Sequence, residues 1–197
     1  MNQPEETAPK TKPGNPVMQI HLPGLDGEMY SSKALAGKRY MITFFRFAAC
    51  PFCNLRLHSL VKHYDELGSD FTIIAIFDSP LDNLQQHAKK HQAPFPILAD
   101  ETGHYYRKYA INHSIYGMLK GMFVHFPSLL KAVFKHGYVP LKFKGKLHTM
   151  PASFLVDEKG IINTAYYGKD EGDHIPFERV KQFSQNPEIK NIDEYRT

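Results

Sequence analysis

The 197-residue chain holds two cysteines, and they stand together as Cys50-Pro51-Phe52-Cys53. Two thiols three residues apart lie one helical turn apart, so an oxidised species formed at one is within reach of the other. The reacting form of such a pair is the thiolate, and exchange proceeds through a mixed disulfide or a sulfenic acid. The elements on either side would position the pair. Ahead of it runs the apolar stretch Tyr40-Met41-Ile42-Thr43-Phe44-Phe45-Arg46-Phe47, which predicts a strand over 39–47. Behind it, Leu57, Leu60, Val61, Tyr64 and Leu67 recur at helical spacing and predict a helix over 50–67, closed by Gly68. Cys50 would then sit at a helix N-terminus, where free N–H groups and the helix dipole favour negative charge. Such settings lower a thiol from ~8.5 to roughly 3.5–7.5.

Two other readings of the pair stay open at this stage. A half zinc site needs further Cys or well-spaced His ligands. No second Cys pair exists and the eleven His are scattered, so no metal is expected. Two buried, inert thiols are the second alternative, since free Cys often belongs to a core. Arg46, four residues before Cys50, would favour the thiolate and offer its guanidinium to a peroxide or carboxylate oxygen. A structural pairing with a carboxylate is the other reading of Arg46. Pro51 suits the first helical turn, where its missing N–H goes unused.

Composition bounds the rest. The length suits one domain with a real core. A net charge of +4, with lysines spread along the chain, describes a solvated surface and implies no nucleic-acid partner. Residues 1–16 are polar and rich in Pro, Glu and Lys, and are expected to form a disordered tail ahead of a domain over 17–197. They lack the apolar core of a signal peptide. No run approaches the ~20 apolar residues that span a bilayer. The expected address is a reducing cytoplasm, where a dithiol stays ready for turnover.

Around the cysteines, Val17–Leu22 predicts a first strand, followed by a turn at 23–27. Ser31 or Ser32 would cap a short helix through Leu35, ended by Gly37. Phe71–Phe77 is continuously apolar, as in a strand covered on both faces. Asp78-Ser79-Pro80 would start a helix to about His91; a short strand at 95–99, a turn at 100–103 and a helix over 104–111 follow. Residues 113–148 interrupt the alternation. Ile115, Met118, Leu119, Met122, Phe123 and Phe126, then Leu129, Leu130, Val133 and Phe134, predict two inserted helices. Their apolar stripes suit core, a cover for the site or a homodimer surface. Membrane docking is not expected, because Lys120, Lys131 and Lys135 supply little attraction at ~1 kcal/mol each. A hairpin over 152–167, turning at Glu158-Lys159-Gly160, and a helix over 176–183 end the pattern of an α/β layered fold.

Three motifs then stand in order: Phe45-Arg46 with Cys50-Pro51-Phe52-Cys53-Asn54-Leu55, Met150-Pro151-Ala152-Ser153-Phe154-Leu155-Val156-Asp157, and Tyr167-Gly168-Lys169-Asp170-Glu171-Gly172-Asp173-His174-Ile175-Pro176. Together they resemble the peroxiredoxin-like branch of the alkyl hydroperoxide reductase and thiol-specific antioxidant superfamily, over about residues 17–183. The resemblance implies a thioredoxin-like α/β fold, a central mixed sheet flanked by helices, with the helical insertion placed before a cis-proline at Pro151. It implies Cys50 as nucleophile, Cys53 as resolving thiol and Arg46 as the activating cation. Met150, Pro151 and Phe52 would contact substrate, and Asp173 with His174 would form a proton relay; a capping Asp and a surface His are the alternative for that pair. No cofactor is implied. The substrate would be a hydroperoxide or a disulfide, and the reductant a thiol such as thioredoxin or glutathione.

The chain also departs from the pattern. Phe47 stands three residues before Cys50, where peroxiredoxins carry a Thr or Ser hydroxyl, and Thr43 stands where they carry Pro. Ala49 replaces the Trp that often precedes the first Cys. These departures favour the rival reading, a thioredoxin-like disulfide reductase. A copper-delivery or other metal-binding module would use Cys50, Cys53 and a His, but related folds do this with a C-x-x-x-C spacing that is lacking here.

Overall fold

The computed structural model describes residues 9–111 and 149–186. The expected insertion over 113–148 lies outside the described residues, as do residues 1–8 and 187–197. A five-stranded mixed sheet forms the centre. Its strands are β3 (Arg39–Phe45), β4 (Phe71–Phe77), β5 (Ile97–Ala99), β6 (Ala152–Val156) and β7 (Ile162–Tyr167), in the order β5-β4-β3-β6-β7. β3, β4 and β5 run parallel; β6 and β7 are antiparallel to their neighbours. A separate hairpin pairs β1 (His21–Pro23) with β2 (Met29–Ser31).

The continuous apolar runs of β3 and β4 follow from burial on both faces. Met41, Phe45, Ile73 and Phe77 point to one side, where α1 (Pro51–Lys62), α2 (Leu81–Ala88) and α4 (Phe177–Gln185) bring Leu57, Leu60, Leu84, Val180 and Phe183. Tyr40, Ile42, Phe44, Ile74 and Ile76 point to the other side. There they meet Ile20, Phe154 and the tyrosines of and just after α3 (His104–Lys108), Tyr105, Tyr106 and Tyr109. Period-two side-chain geometry divides each strand between the two cores. Among the described residues, no helix is long and apolar enough to cross a membrane.

Several boundaries move from the sequence expectation. The helix expected over 50–67 breaks at His63 into α1 and a 3-10 turn over Tyr64–Leu67, ended by Gly68 at φ 84°. Tyr64 leaves the helical path to pack on Phe95 and donate to the Phe71 carbonyl at 3.1 Å. The expected tail over 1–16 is too long. From Thr11 onward the chain lies along β7: Thr11 N–H donates to the Tyr167 hydroxyl (2.9 Å), Gly14 N–H to the Ile162 carbonyl (2.8 Å), and Pro16 bridges to Ile161. These contacts are largely backbone-mediated, so a polar composition does not reveal them. Asp157 sits in the hairpin turn, accepting from Lys159 and Ile161 N–H.

The expected cis bond before Pro151 is absent: no described peptide bond is cis. Pro151 instead continues β6 in trans, and its carbonyl accepts from Gly168 N–H at 2.8 Å. Trans is the intrinsically favoured isomer, and the ladder can use it here. Gly168 is required at this contact, since a Cβ there would lie 2.5 Å from the Asp173 carbonyl oxygen and 2.8 Å from the Pro151 ring.

Candidate active site

The parallel strands β3 and β4 end side by side, and the candidate site is built on those ends. Arg46 follows β3 directly, and its carbonyl accepts from Asp78 N–H at 3.2 Å, so the sheet still holds the backbone at this point. The chain then turns, with Cys50 N–H donating to the Phe47 carbonyl at 3.0 Å. Cys50 becomes the N-cap of α1 and Pro51 opens the helix. A thiol in this position takes the role that Ser or Asp usually fills: Cys50 Sγ accepts from Cys53 N–H at 3.5 Å.

Cys50, Cys53 and Arg46 come together. Arg46 Nη1 lies 3.9 Å from Cys50 Sγ, and all three residues are buried. Burial raises the Cys50 thiol. A hydrogen bond from the Cys53 thiol, the Arg46 charge and the N–H groups of Cys53 and Phe52 more than offset it, bringing Cys50 from 9.0 to about 7. Cys53 goes the opposite way, well above 9.0, through burial, its hydrogen bond to Cys50 and the negative charge of Cys50. The surroundings thus favour the anion at Cys50 and the protonated form at Cys53.

Of the other expected residues, some border this pair and Asp173 does not. Phe52 is buried in the first turn of α1. The register that sets Ala152 opposite Phe44 carries Pro151 and Met150 alongside the end of β3. Asp173 is drawn elsewhere: Tyr166 donates its hydroxyl to Asp173 Oδ1, and Lys169 N–H donates to Oδ2 at 2.8 Å. His174 packs on Phe45, with ring centroids 5.6 Å apart, and Phe45 stacks on Phe77.

Sequence comparison agrees with the geometry. The family model described as the AhpC/TSA family matches residues 13–165. The chain belongs to the AhpC/TSA family. No curated protein matches the sequence significantly. Solved structures similar to this AhpC/TSA chain include the peroxidoxin BcpB from Mycobacterium tuberculosis, at 15% identity and TM-score 0.61, covering 88% of this chain and 96% of that one. A thiol peroxidase from Chromobacterium violaceum aligns at 13% identity and TM-score 0.63, covering 90% and 88%. A thiol:disulfide interchange protein of the thioredoxin family from Chlorobium tepidum TLS aligns at 20% identity and TM-score 0.51, covering 90% and 100%. At these identities the likeness establishes the thioredoxin-like fold.

Sequence reasoning missed several groups of this AhpC/TSA site. Asn54 donates from Nδ2 to the carbonyls of Ala48 and Cys50, both at 2.8 Å, and so holds the turn that carries the thiol. Its Oδ1 then faces His91 Nε2 at 2.8 Å, which makes that nitrogen the N–H donor. Burial, with Lys90 and His58 nearby, lowers His91 to about 4, so the ring is neutral near pH 7. Thr149 donates to Asp78 Oδ2 at 2.8 Å, joining the end of β4 to the segment before Pro151. Glu171 is buried beside Arg46, its Oε2 3.7 Å from Nη1. Asn54 and Glu171 stood inside quoted motifs and Asp78 at an expected helix start, but nothing local tied Glu171, Asp78 or His91 to the thiols, because each reaches the site through tertiary packing.

Proposed function

We propose that this AhpC/TSA chain is a thiol oxidoreductase that reduces hydroperoxides through a Cys50–Cys53 dithiol–disulfide cycle. The observation that carries the reading is the geometry of the pair: Cys50 Sγ caps α1, accepts from Cys53 N–H and lies 3.9 Å from Arg46 Nη1. Cys50 thiolate attacks the terminal peroxide oxygen; an S–O bond forms, the O–O bond breaks, and the alkoxide leaves as alcohol after taking up a proton. The resulting sulfenic acid is attacked by the Cys53 sulfur. An S–S bond forms, the S–O bond breaks, and the released hydroxide leaves as water with the Cys53 proton. An external thiol reductant of the thioredoxin or glutathione class then returns two electrons and two protons. Arg46 stabilises the thiolate and stands where a peroxide oxygen would approach. Met150, Pro151 and Phe52 border that approach. The full burial of Cys50 favours a small oxidant over a folded protein's disulfide.

One observation favours a second reading, reduction of disulfides. The position three residues before Cys50 holds Phe47, whose ring centroid lies 5.4 Å from the Arg46 guanidinium carbon, rather than a hydroxyl. The thioredoxin-family neighbour carries such an interchange activity in its name. Stopped-flow oxidation of the reduced protein decides between the two. Hydrogen peroxide, an alkyl hydroperoxide and a small disulfide are offered separately while thiol content and mass are followed. Faster loss of two thiols with a hydroperoxide supports the leading reading; faster loss with the disulfide replaces it with the second.

A further inference from the structure

Arg46 Nη1 faces two acids at once. Cys50 Sγ lies 3.9 Å away on one side and Glu171 Oε2 lies 3.7 Å away on the other. The Arg46 and Glu171 side chains are only 5% and 2% exposed, so solvent screens their interaction weakly. Glu171 belongs to the segment after β7, and that segment is fixed at several points. Gly168 N–H is bonded to the Pro151 carbonyl, Asp173 holds Lys169 and Tyr166, and Arg56 Nη2 donates to the Ile175 carbonyl at 2.7 Å. The carboxylate is therefore delivered to Arg46 by a braced loop. A buried carboxylate is costly to place without a counter-charge, and Arg46 supplies one.

We propose that Glu171 is a positioning residue that sets how much of the Arg46 charge is felt at Cys50. A lone buried guanidinium beside a thiol would drive it far toward the thiolate. That is not the most reactive state, because intrinsic nucleophilicity falls as thiol acidity rises, and the best attacking thiol titrates near the working pH. Glu171 places an opposing charge on the far side of the same nitrogen. It orients the guanidinium and tempers its field, so Cys50 is ionised without becoming an inert anion. Other charged or titratable groups around the pair, among the described residues, include Cys53 on α1, Asp78 at the end of β4, Tyr106 on α3 and His174 on the same loop as Glu171. The Glu171→Gln substitution removes the Glu171 charge and leaves these groups in place.

The inference rests on Cys50 being the reactive thiol, and not on whether its oxidant is a peroxide or a disulfide. The test is a pH titration of thiolate absorbance in the reduced Cys53→Ser protein, which reads Cys50 without any substrate. Glu171→Gln in that background shifts the Cys50 midpoint toward acid by about one pH unit. Glu171→Asp keeps the charge but draws it back by one methylene, and shifts the midpoint the same way by less. In an Arg46→Met background Glu171→Gln leaves the midpoint where Arg46→Met alone puts it, because the effect runs through the guanidinium. An unchanged midpoint in both Glu171 variants, or an alkaline shift in the one that folds, would overturn the proposal and leave Glu171 as a brace for Arg46 only. Failure of the hydroperoxide reading would appear separately, as slow thiol loss with peroxide at an unaltered titration.

Discussion

The two ends of β3 carry one buried arginine each, and the two are held in different ways. Arg39, at the start of the strand, donates to Glu158 Oε1 at 2.6 Å, to the Phe183 carbonyl at 2.5 Å and to the Asn186 carbonyl at 2.8 Å, and its guanidinium lies over the Phe183 ring. Arg46, just past the other end, meets Glu171 and Cys50 at 3.7 and 3.9 Å. Short, directed bonds to carbonyls spend the fork of Arg39 on joining α4 to the sheet. Arg46 faces two acids, at distances where field matters more than hydrogen-bond geometry. The same residue type fastens the fold at one end and, in the function proposed here, acts through its charge at the other.

Substituting each arginine breaks this comparison most sharply. Arg39→Met should lower unfolding stability by about 2–4 kcal/mol, since charged hydrogen bonds are lost and carbonyls are left behind. Denaturant melts should show this, while the Cys50 titration stays where it is. Arg46→Met should do the reverse. The Cys50 midpoint should rise, and thiol reactivity near pH 7 should fall on the order of tenfold to a hundredfold. If Arg39→Met moves the thiol titration as much as Arg46→Met does, the division of roles is wrong.

The pH dependence of stability sharpens the same contrast. Cys50 is lowered from 9.0 to about 7, so between those values the folded chain has released a proton that the unfolded chain keeps. Stability of the reduced protein should rise across that window by about 2 kcal/mol. Above 9.0 the trend should reverse, because Cys53 stays protonated in the fold while the unfolded chain ionises. At the acid side, His91 refuses a proton until about 4, whereas the unfolded chain takes it up near 6.5, so stability should decline as pH falls through that range. Reduced-protein melts at a series of pH values, with the Cys50→Ser variant alongside, check all three slopes; the rise between 7 and 9 should disappear in that variant.

Smaller effects separate brace from reagent within the site. Asn54→Ala should cost about 1–3 kcal/mol, since the Ala48 and Cys50 carbonyls and His91 Nε2 all lose a partner. It should also slow Cys50, because the turn that carries the thiol loosens. Glu158→Gln should change stability by less than about 1 kcal/mol, since Glu158 is half exposed and surface pairing is weak. A large loss in Glu158→Gln would mean that Arg39 depends on that carboxylate rather than on the two carbonyls.

What the chain disclosed on reading follows from how local each signal is. Phe71–Phe77 is a strand with the expected ends because seven consecutive apolar residues need cover on both faces. Ser31 caps the short turn over Ser32–Leu35, as its type and position suggest. Cys50 at the start of α1, with Pro51 following, was also legible from the junction of two hydrophobic periodicities. β2 was not, because three residues paired only to a three-residue partner leave no period to read. Glu171, Asp78 and His91 were hidden for a different reason. Their importance comes from side chains that meet across more than 30 residues of sequence, and no local pattern encodes such a meeting. The trans bond at Pro151 shows the limit of reasoning by resemblance, since the motif matched and the backbone isomer did not.

The most direct test of the central claim is intact-mass analysis with thiol counting after one equivalent of hydroperoxide, on reduced wild type and the two single Cys→Ser variants. The account predicts that wild type loses both thiols and two hydrogens as a monomer. Cys53→Ser should gain one oxygen at Cys50, and Cys50→Ser should stay unreacted. Oxidation of Cys50→Ser at the wild-type rate, or a wild-type chain that keeps both thiols, would contradict it.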